Sequence, residues 1–515
     1  MSKSLKRNIF IYIFIFILGF LTYVNILSNK LFYDDEELIY QNYYVQNPRL
    51  LPKYFTENMV AGAGKKSNMY RPVLLTSFAL DYAVWKNNPL GYHLTSIILH
   101  AANGIFIFIF INWLFRNKLL AFLTSLLFII HPVQTEAIAY ASGRTDPLYS
   151  FFGLSSLLLF TSLLKKDKYF IAKYIFSIIF FILSLLSKET AIIFPAIFLL
   201  TYFTQKEYKT SVKKILLILM PFIVITIIYI FLRLTVLNFA NTLNFYREEN
   251  LYSQNLLVRL LTFFAVFFQY FSIIFLPYEL VFARSAPIIV SPLNLWVIIF
   301  IFAFLTFLIL SLVLRKTNNL FIFSFFWFFI CIFPVSGIIP INNIIAEHYL
   351  YLPSVAFFLI AGFLFCFLYK KYHRANQRIL LIFLGTIICL LLFLRTVTRN
   401  THWHDPITFY IISLKQSPWH IPMRHNLAMT YAEKGDLELA ISQYKQIIET
   451  SDVYPNTHHN LANIYKNQGR YKEAEEEYQK ALSLDPNFRF SYVELLDLYQ
   501  KTGEKDKADT IRKKL

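Results

Sequence analysis

Ile9–Leu27 reads IFIYIFIFILGFLTYVNIL, and shortly after it comes Tyr33-Asp34-Asp35-Glu36-Glu37. An apolar run of that length matches the ~20 residues a helix needs to cross a bilayer. It has no small-residue cleavage site, so it reads as an uncleaved anchor and not as a removed signal peptide. Four acids in a row at the mouth of a span are costly to hold near hydrocarbon, so acids in that position point to function before structure. The alternative is a solvated acidic loop that only ends a helix.

The rest of the composition agrees with a membrane protein. Of 515 residues, 57% are hydrophobic and 18% aromatic, with 55 Phe, and only 16% are charged. Mean hydropathy is +0.49. The net charge of +18 is unevenly placed. From Thr401 onward there are 15 Lys and Arg against 16 Asp and Glu, which leaves 34 against 15 for the membrane part. A surplus confined there suits basic loops on the cytoplasmic side, and argues against nucleic-acid binding. Cys331, Cys366 and Cys389 all lie in apolar runs, so no loop disulfide is available and cysteine gives no reading of compartment.

Lys3, Lys6 and Arg7 put the N-terminus in the cytoplasm and Leu31–Lys66 outside. Tyr70-Arg71-Pro72 opens a semi-apolar stretch to Trp85, expected as a helix lying in the interface. Further spans are predicted at about Tyr92–Phe115, Leu119–Ile130, Leu148–Leu164, Tyr169–Leu186, Ala191–Phe203, Ile215–Leu234, Leu256–Leu276, Leu293–Leu314, Leu320–Phe333, Tyr349–Tyr369 and Ile379–Leu394. Basic loops at Arg116–Lys118, Lys165–Lys168, Lys206–Lys214, Arg315–Lys316 and Lys370–Arg378 read as cytoplasmic. Counting forward and counting backward disagree by one crossing. One segment between Lys188 and Pro292 is therefore expected to be re-entrant, or to cross twice or not at all. That gives 11 or 13 crossings, with the C-terminal part on the side of Asp34.

Near Thr396 the composition changes, which predicts a membrane domain over residues 1–396, its first outer loop at 28–70, and a soluble domain over 397–515. In the latter, positions recur every 34 residues: Ala428/Ala462/Leu496, Tyr431/Tyr465/Tyr499, Gly435/Gly469/Gly503, Ala440/Ala474/Ala508 and Tyr444/Tyr478. Pro486 closes the second repeat. This is the tetratricopeptide pattern, one helix pair per repeat. Small Ala lets paired helices approach, and Gly allows the turn between them. Tyr410 and Pro418 fall 34 residues before Tyr444 and Asp452, which predicts a leading half repeat ahead of about three full ones. The expected fold class is all-α: a polytopic transmembrane helical domain followed by an α-solenoid.

The outer loops hold an unusual set of polar residues. One runs from His131-Pro132-Val133-Gln134-Thr135-Glu136 to Ser142-Gly143-Arg144-Thr145-Asp146, another is Ser187-Lys188-Glu189, and a third is Glu347-His348-Tyr349. Arg71 lies in the first loop. Bland alternatives exist for each: His131-Pro132 ends a helix, Arg144 pairs with Asp146, and Lys188 pairs with Glu189. His93 and His100 share one helical face and read as packed within the bundle. His402-Trp403-His404-Asp405 looks metal-like, but no further ligand is evident. The combination suits a particular chemistry. A glycosidase needs two carboxylates, because its leaving oxygen must be protonated. A lipid-phosphate leaving group is already a stable anion and needs only cations to hold its charge. The acceptor hydroxyl then needs one carboxylate base. Acids in one loop and cations from others therefore fit sugar transfer from a polyprenyl phosphate.

YDDEELIY, YRPV, GYHL with IILHAANG, HPVQTEAIAYASGRTD, SKET and AEHYLYLPSV resemble, in this order, the transmembrane and tetratricopeptide-repeat O-mannosyltransferases. These belong to the multi-spanning C-type glycosyltransferase superfamily. The resemblance implies a C-type glycosyltransferase fold and an inverting transfer of mannose or a similar hexose. The donor would be a polyprenyl-phosphate sugar, the acceptor a hydroxyl on protein, and the face non-cytoplasmic. It implies the Asp34-Asp35 pair as the catalytic acids, with Asp34 as base and Asp35 orienting acceptor or sugar, and Arg71, Lys188 and Tyr349 around the lipid phosphate. His131, Glu136, Arg144, Asp146 and His348 join them as substrate-binding residues. His348 departs from the family, which usually has Arg there, and a neutral imidazole is a weaker phosphate clamp. No metal or other cofactor is expected. The repeats would bind an acceptor polypeptide or a partner protein. The short repeat array and the Phe, Ile, Lys and Asn usage point to a bacterial inner membrane. Two rivals remain at this stage: a non-catalytic scaffold for envelope assembly, and a polysaccharide ligase or polymerase using lipid-diphosphate donors.

Overall fold

The computed structural model describes residues 3–164, 168–205, 211–239, 251–315, 318–338 and 343–515. The basic loops expected at Lys165–Lys168, Lys206–Lys214 and Arg315–Lys316 fall partly outside the described residues, as do the side chains of Lys3, Lys6 and Arg7. Helices supply all the regular structure among the described residues. By its contacts the chain divides into two compact units, Met1–His404 and Asp405–Leu515.

The longer helices of the first unit are α1 (Lys3–Tyr23), α2 (Pro72–Trp85), α3 (Pro89–Phe115), α4 (Lys118–Ile130), α5 (Thr135–Ala139), α6 (Thr145–Leu163) and α7 (Phe170–Ser187). They continue with α8 (Phe194–Thr204), α9 (Val212–Leu234), α10 (Leu256–Phe275), α11 (Leu295–Leu314), α12 (Leu320–Ile332), α13 (Ser354–Lys371) and α14 (Ala375–Asn400). The composition change near Thr396 falls inside α14.

Among the described residues, eight helices are long and apolar enough to cross a membrane: α1, α3, α7, α9, α10, α11, α13 and α14. The chain is thus an integral membrane protein by the length and hydropathy of its helices. A ninth span arises if α4 and Pro132–Ala139, bent by 53° at their junction, count as one. This count, taken by length and hydropathy among the described residues, is smaller than the 11 or 13 crossings expected from the sequence. The runs expected to span at Leu119–Ile130, Ala191–Phe203 and Leu320–Phe333 form helices of 13, 11 and 13 residues. At 1.5 Å per residue these α-helical parts reach about 20 Å or less, and 3-10 turns extend two of them to Glu189–Thr204 and Leu320–Val335, still short of ~30 Å of hydrocarbon. α6 has 19 residues but opens on Thr145-Asp146-Pro147 and is not apolar enough to be counted. The Leu256–Pro292 segment, expected to cross twice or not at all, forms one span-length helix, α10, followed by non-helical chain.

The ends of α1 and α14 are clasped by asparagines. Asn25 Nδ2 donates to the Val397 carbonyl at 2.9 Å, and Asn400 Nδ2 donates to the Thr22 carbonyl at 2.9 Å and to Asn25 Oδ1 at 2.8 Å. Asn29 Nδ2 reaches the Asn400 carbonyl at 3.4 Å, and the Lys30 amide donates to the His404 carbonyl at 2.9 Å. Both helices end at this clasp, so they run parallel. Two parallel spans are joined by an odd total of crossings, which nine, 11 and 13 satisfy and eight does not. His404, where the first unit ends, therefore lies at the same end of that unit as the acidic loop.

Glycine permits one close approach in this unit. A Cβ on Gly153 of α6 would stand 1.9 Å from the Phe194 ring. Phe194 opens α8, so the bare backbone lets that short helix seat against α6.

The second unit is a run of antiparallel helix pairs. α15 (Pro406–Gln416) precedes α16 (Ile421–Lys434) with α17 (Leu437–Thr450), α18 (Pro455–Asn467) with α19 (Tyr471–Leu484), and α20 (Arg489–Thr502) with α21 (Lys505–Arg512). Its core holds Ala428, Ala440, Ala462 and Ala474, each fully buried, together with Tyr444, Tyr465, Tyr478 and Tyr499. Gly435, Gly469 and Gly503 sit at φ of +86°, +76° and +80°, the left-handed region that ends a helix at little cost only for glycine.

Candidate active site

The acidic stretch begins with backbone strain. Tyr33 has φ of +62°, rare for a bulky side chain, and Glu36–Tyr40 forms a single wide π turn. This turns the two aspartates to different surroundings. Asp35 points inward and is 1% exposed; its Oδ1 accepts from the Ser142 amide at 2.7 Å and from the Ser142 hydroxyl. Burial raises its pKa to about 7, with the Ser142 hydrogen bonds opposing the rise. Asp34 is an exposed residue whose carboxyl is nonetheless packed round by protein. That crowding raises its pKa, Tyr140 and Arg71 oppose the rise, and Glu37 adds to it. The Asp34 amide donates to the Tyr140 hydroxyl at 3.2 Å.

Arg71, the residue before α2, faces Glu189, the residue after Lys188. Its Nε and terminal nitrogen meet the two carboxylate oxygens at 3.2 and 2.7 Å, a bidentate pair. Lys188 itself turns to Asp146 in the first turn of α6, with Nζ at 2.7 and 2.8 Å from the two oxygens and both side chains buried. Arg71 also feels Asp146, and Asp34 feels Arg71, so base candidate and cations share one electrostatic neighbourhood. Each cation brings its own counter-acid, which lowers the cost of keeping it away from water.

Glu136 on α5 accepts from the His348 ring at 2.7 Å and from its amide at 3.2 Å. The neighbouring Glu347 is fully buried against Arg399, 3.5 Å away. Tyr349 donates its hydroxyl to the Asn343 carbonyl at 3.0 Å, and lies within electrostatic reach of both Glu136 and Asp146.

The remaining candidates stand elsewhere. Arg144 is wholly buried, paired with Asp81 at 2.6 Å, bonded to the Tyr92 carbonyl at 2.6 Å and to the Ser77 and Ser96 hydroxyls, and stacked over Phe78. These contacts tie α2 and α3 to the loop before α6. His131 uses both ring nitrogens structurally: Nδ1 accepts from the Val133 amide at 3.2 Å, and Nε2 lies 2.9 Å from the Ile274 carbonyl. His93 and His100 are buried in the bundle. His402 bonds Arg399 at 2.9 Å, and among the described residues no three His, Cys, Asp or Glu side chains gather as a metal-binding group.

Sequence reasoning missed Glu189, Asp81, Ser142 and Tyr140 as partners. They lie between 63 and 118 residues from the groups they hold, and no spacing rule reports such pairs.

Comparison with known proteins bears on both units. Tetratricopeptide repeat profiles match residues 421–452 and 455–488. A Caenorhabditis elegans protein O-mannosyl-transferase is 26% identical over 449 residues, covering 85% of this chain and 62% of that protein. Human protein O-mannosyl-transferase TMTC2 is 36% identical over 151 residues, 27% of this chain and 17% of that protein. Drosophila melanogaster protein O-mannosyl-transferase Tmtc1 is 30% identical over 179 residues, 34% of this chain and 20% of that protein. The chain thus spans less than two thirds of the length of the relatives it matches. The resemblance read from YDDEELIY and its companion motifs is borne out: a membrane unit of apolar helices followed by tetratricopeptide repeats makes this chain similar to the transmembrane, repeat-bearing protein O-mannosyl-transferases.

Proposed function

We propose that the chain is a membrane glycosyltransferase that moves mannose or a similar hexose from a polyprenyl-phosphate donor to a hydroxyl, with inversion. The observation that carries this reading is that one solvent-reaching carboxyl, Asp34, lies within electrostatic reach of Arg71, and Arg71 in turn of the Asp146 that pairs with Lys188, at the end of the first span. In the proposed step, Asp34 takes the proton of the acceptor hydroxyl. The acceptor oxygen bonds to the anomeric carbon from the face opposite the phosphate. The bond from that carbon to the phosphate oxygen breaks, and its electron pair leaves with the polyprenyl phosphate. Arg71 and Lys188 receive that charge, with Tyr349 and the Glu136–His348 pair beside them. Asp35, fixed by Ser142, holds the loop that aims Asp34. The step calls on no metal or other cofactor.

The reading carries a location: a bacterial inner membrane, with the N-terminus cytoplasmic and the acidic loop and repeats outside. The asparagine clasp supports it, since the chain leaves α14 at the end where α1 delivers Asp34. The repeats would then hold an acceptor polypeptide on the side where the base stands. The test is to supply membrane-embedded protein with labelled polyprenyl-phosphate sugars and follow which is consumed. Asp34→Asn should lower the rate about 10²–10⁴-fold while leaving donor binding intact. Wild-type turnover by that variant removes Asp34 as the base. Consumption of lipid-diphosphate sugars alone favours the ligase reading.

A further inference from the structure

Five aromatic residues from four distant segments gather next to Asp34. Tyr140 and Trp403 stack at 5.2 Å, and Phe32 stacks on Trp403 at 6.4 Å. Phe282 stands edge-on to Trp403 at 5.5 Å and to Tyr140 at 6.2 Å. Tyr33 meets Phe282 at 5.6 Å and Tyr140 at 6.4 Å. Trp403 and Tyr140 are buried at the back of this group, whereas Tyr33 and Phe282 are only half-buried. The Tyr33 hydroxyl is close enough to Asp34 and Glu37 for both acids to disfavour its ionisation.

A ring serving only the core would be buried, and a ring serving only lipid would not stand among carboxylates. What fits a surface apolar on one side and acidic along its rim is a pyranose. One face of the sugar presents C–H groups with partial positive charge, which suit the negative face of an aromatic ring, and its edge presents hydroxyls that suit carboxylates. The strained φ at Tyr33 gains a purpose here, since it lets ring and Asp34 come from adjacent residues.

We propose that Tyr33 and Phe282 form the wall against which the donor's hexose stacks, setting its anomeric carbon before Asp34. This rests on the transferase reading above. The experiment measures binding of two probes, polyprenyl phosphate mannose and bare polyprenyl phosphate, to the full chain in lipid nanodiscs. Tyr33→Leu and Phe282→Leu should weaken the sugar-bearing lipid by roughly three- to tenfold and leave the bare lipid phosphate within about twofold. Tyr33→Phe, which keeps the ring, should bind both like wild type. Equal weakening of both probes assigns the rings to the lipid and overturns the wall, as does unchanged binding of both. Wild-type protein that binds the bare phosphate but not the sugar-bearing lipid overturns the wall and leaves the phosphate site standing. Wild-type protein that binds neither overturns both readings.

Discussion

The Lys188–Asp146 pair lets structure and function be separated by one double-mutant cycle. Nζ touches both carboxylate oxygens, and the two side chains are 6% and 4% exposed. Lys188→Met removes the cation and strands a buried acid, which typically costs ~3–5 kcal/mol. Arg71 also acts on Asp146 and offsets part of that, so the expected loss is about 3 kcal/mol, roughly a hundredfold in the unfolding equilibrium. Adding Asp146→Asn removes the stranded charge, and most of the stability should return. Donor binding should not return, because a phosphate needs the cation whether or not the fold does. Denaturant unfolding in micelles at unchanged slope measures the first quantity, and binding of labelled polyprenyl phosphate to the same preparations measures the second. A single-variant loss below about 1 kcal/mol, or a double variant as unstable as Lys188→Met, refutes the energetic argument. A double variant that binds like wild type removes Lys188 from the phosphate site.

Asp35, raised to about 7 by burial, keeps its proton in the folded chain over a range where the unfolded chain has lost its own. Its contribution to stability is therefore full below about pH 4 and declines as pH rises to about 7. Asp35→Asn should flatten that decline, and equal slopes for variant and wild type would contradict the assignment. In the repeat unit, Gly469→Ala meets no atom within 4 Å but must hold φ near +76°, so it should cost about 1–2 kcal/mol, with Gly469→Asn costing less. Thermal unfolding of the two variants checks the order. Single cysteines at Gln468 and Lys371, in a chain lacking Cys331, Cys366 and Cys389, report sidedness to an impermeant thiol reagent in intact cells. Labelling at Gln468 alone is the expected outcome, and labelling at Lys371 alone would move the repeats to the cytoplasm.

The repeats were legible because each one states its own geometry: a glycine every 34 residues marks a left-handed turn, and alanine marks helix contact. The outer loops were legible as a set but not as pairs. Reading Arg144 with Asp146, and Lys188 with Glu189, relied on nearness in sequence. Residues one or two apart on a helix or tight turn point to different sides. The structure accordingly hands Asp146 to Lys188, Glu189 to Arg71 and Arg144 to Asp81. The sequence counts more spans than helix length supports, because hydropathy reports burial and lipid alike. α4, α8 and α12 are apolar, yet too short to cross unaided. The aromatic group at Tyr33 was invisible, since Phe282 and Trp403 are unremarkable letters until folding brings them to Tyr140.

The asparagine clasp also governs when the site can exist during synthesis. The bonds from Asn25 and Asn400 bridge 372 and 375 residues of chain. At ~5–20 residues per second, the ribosome needs roughly twenty seconds to over a minute to supply the second half of each bond. Until then the amides of Asn25 and Asn29 have no Val397 or Asn400 to meet, and the segment leading into Asp34 lacks its support. Activity should therefore switch on late, when α14 inserts, so that a chain truncated before Thr396 carries every residue of the acidic loop and still has no assembled site.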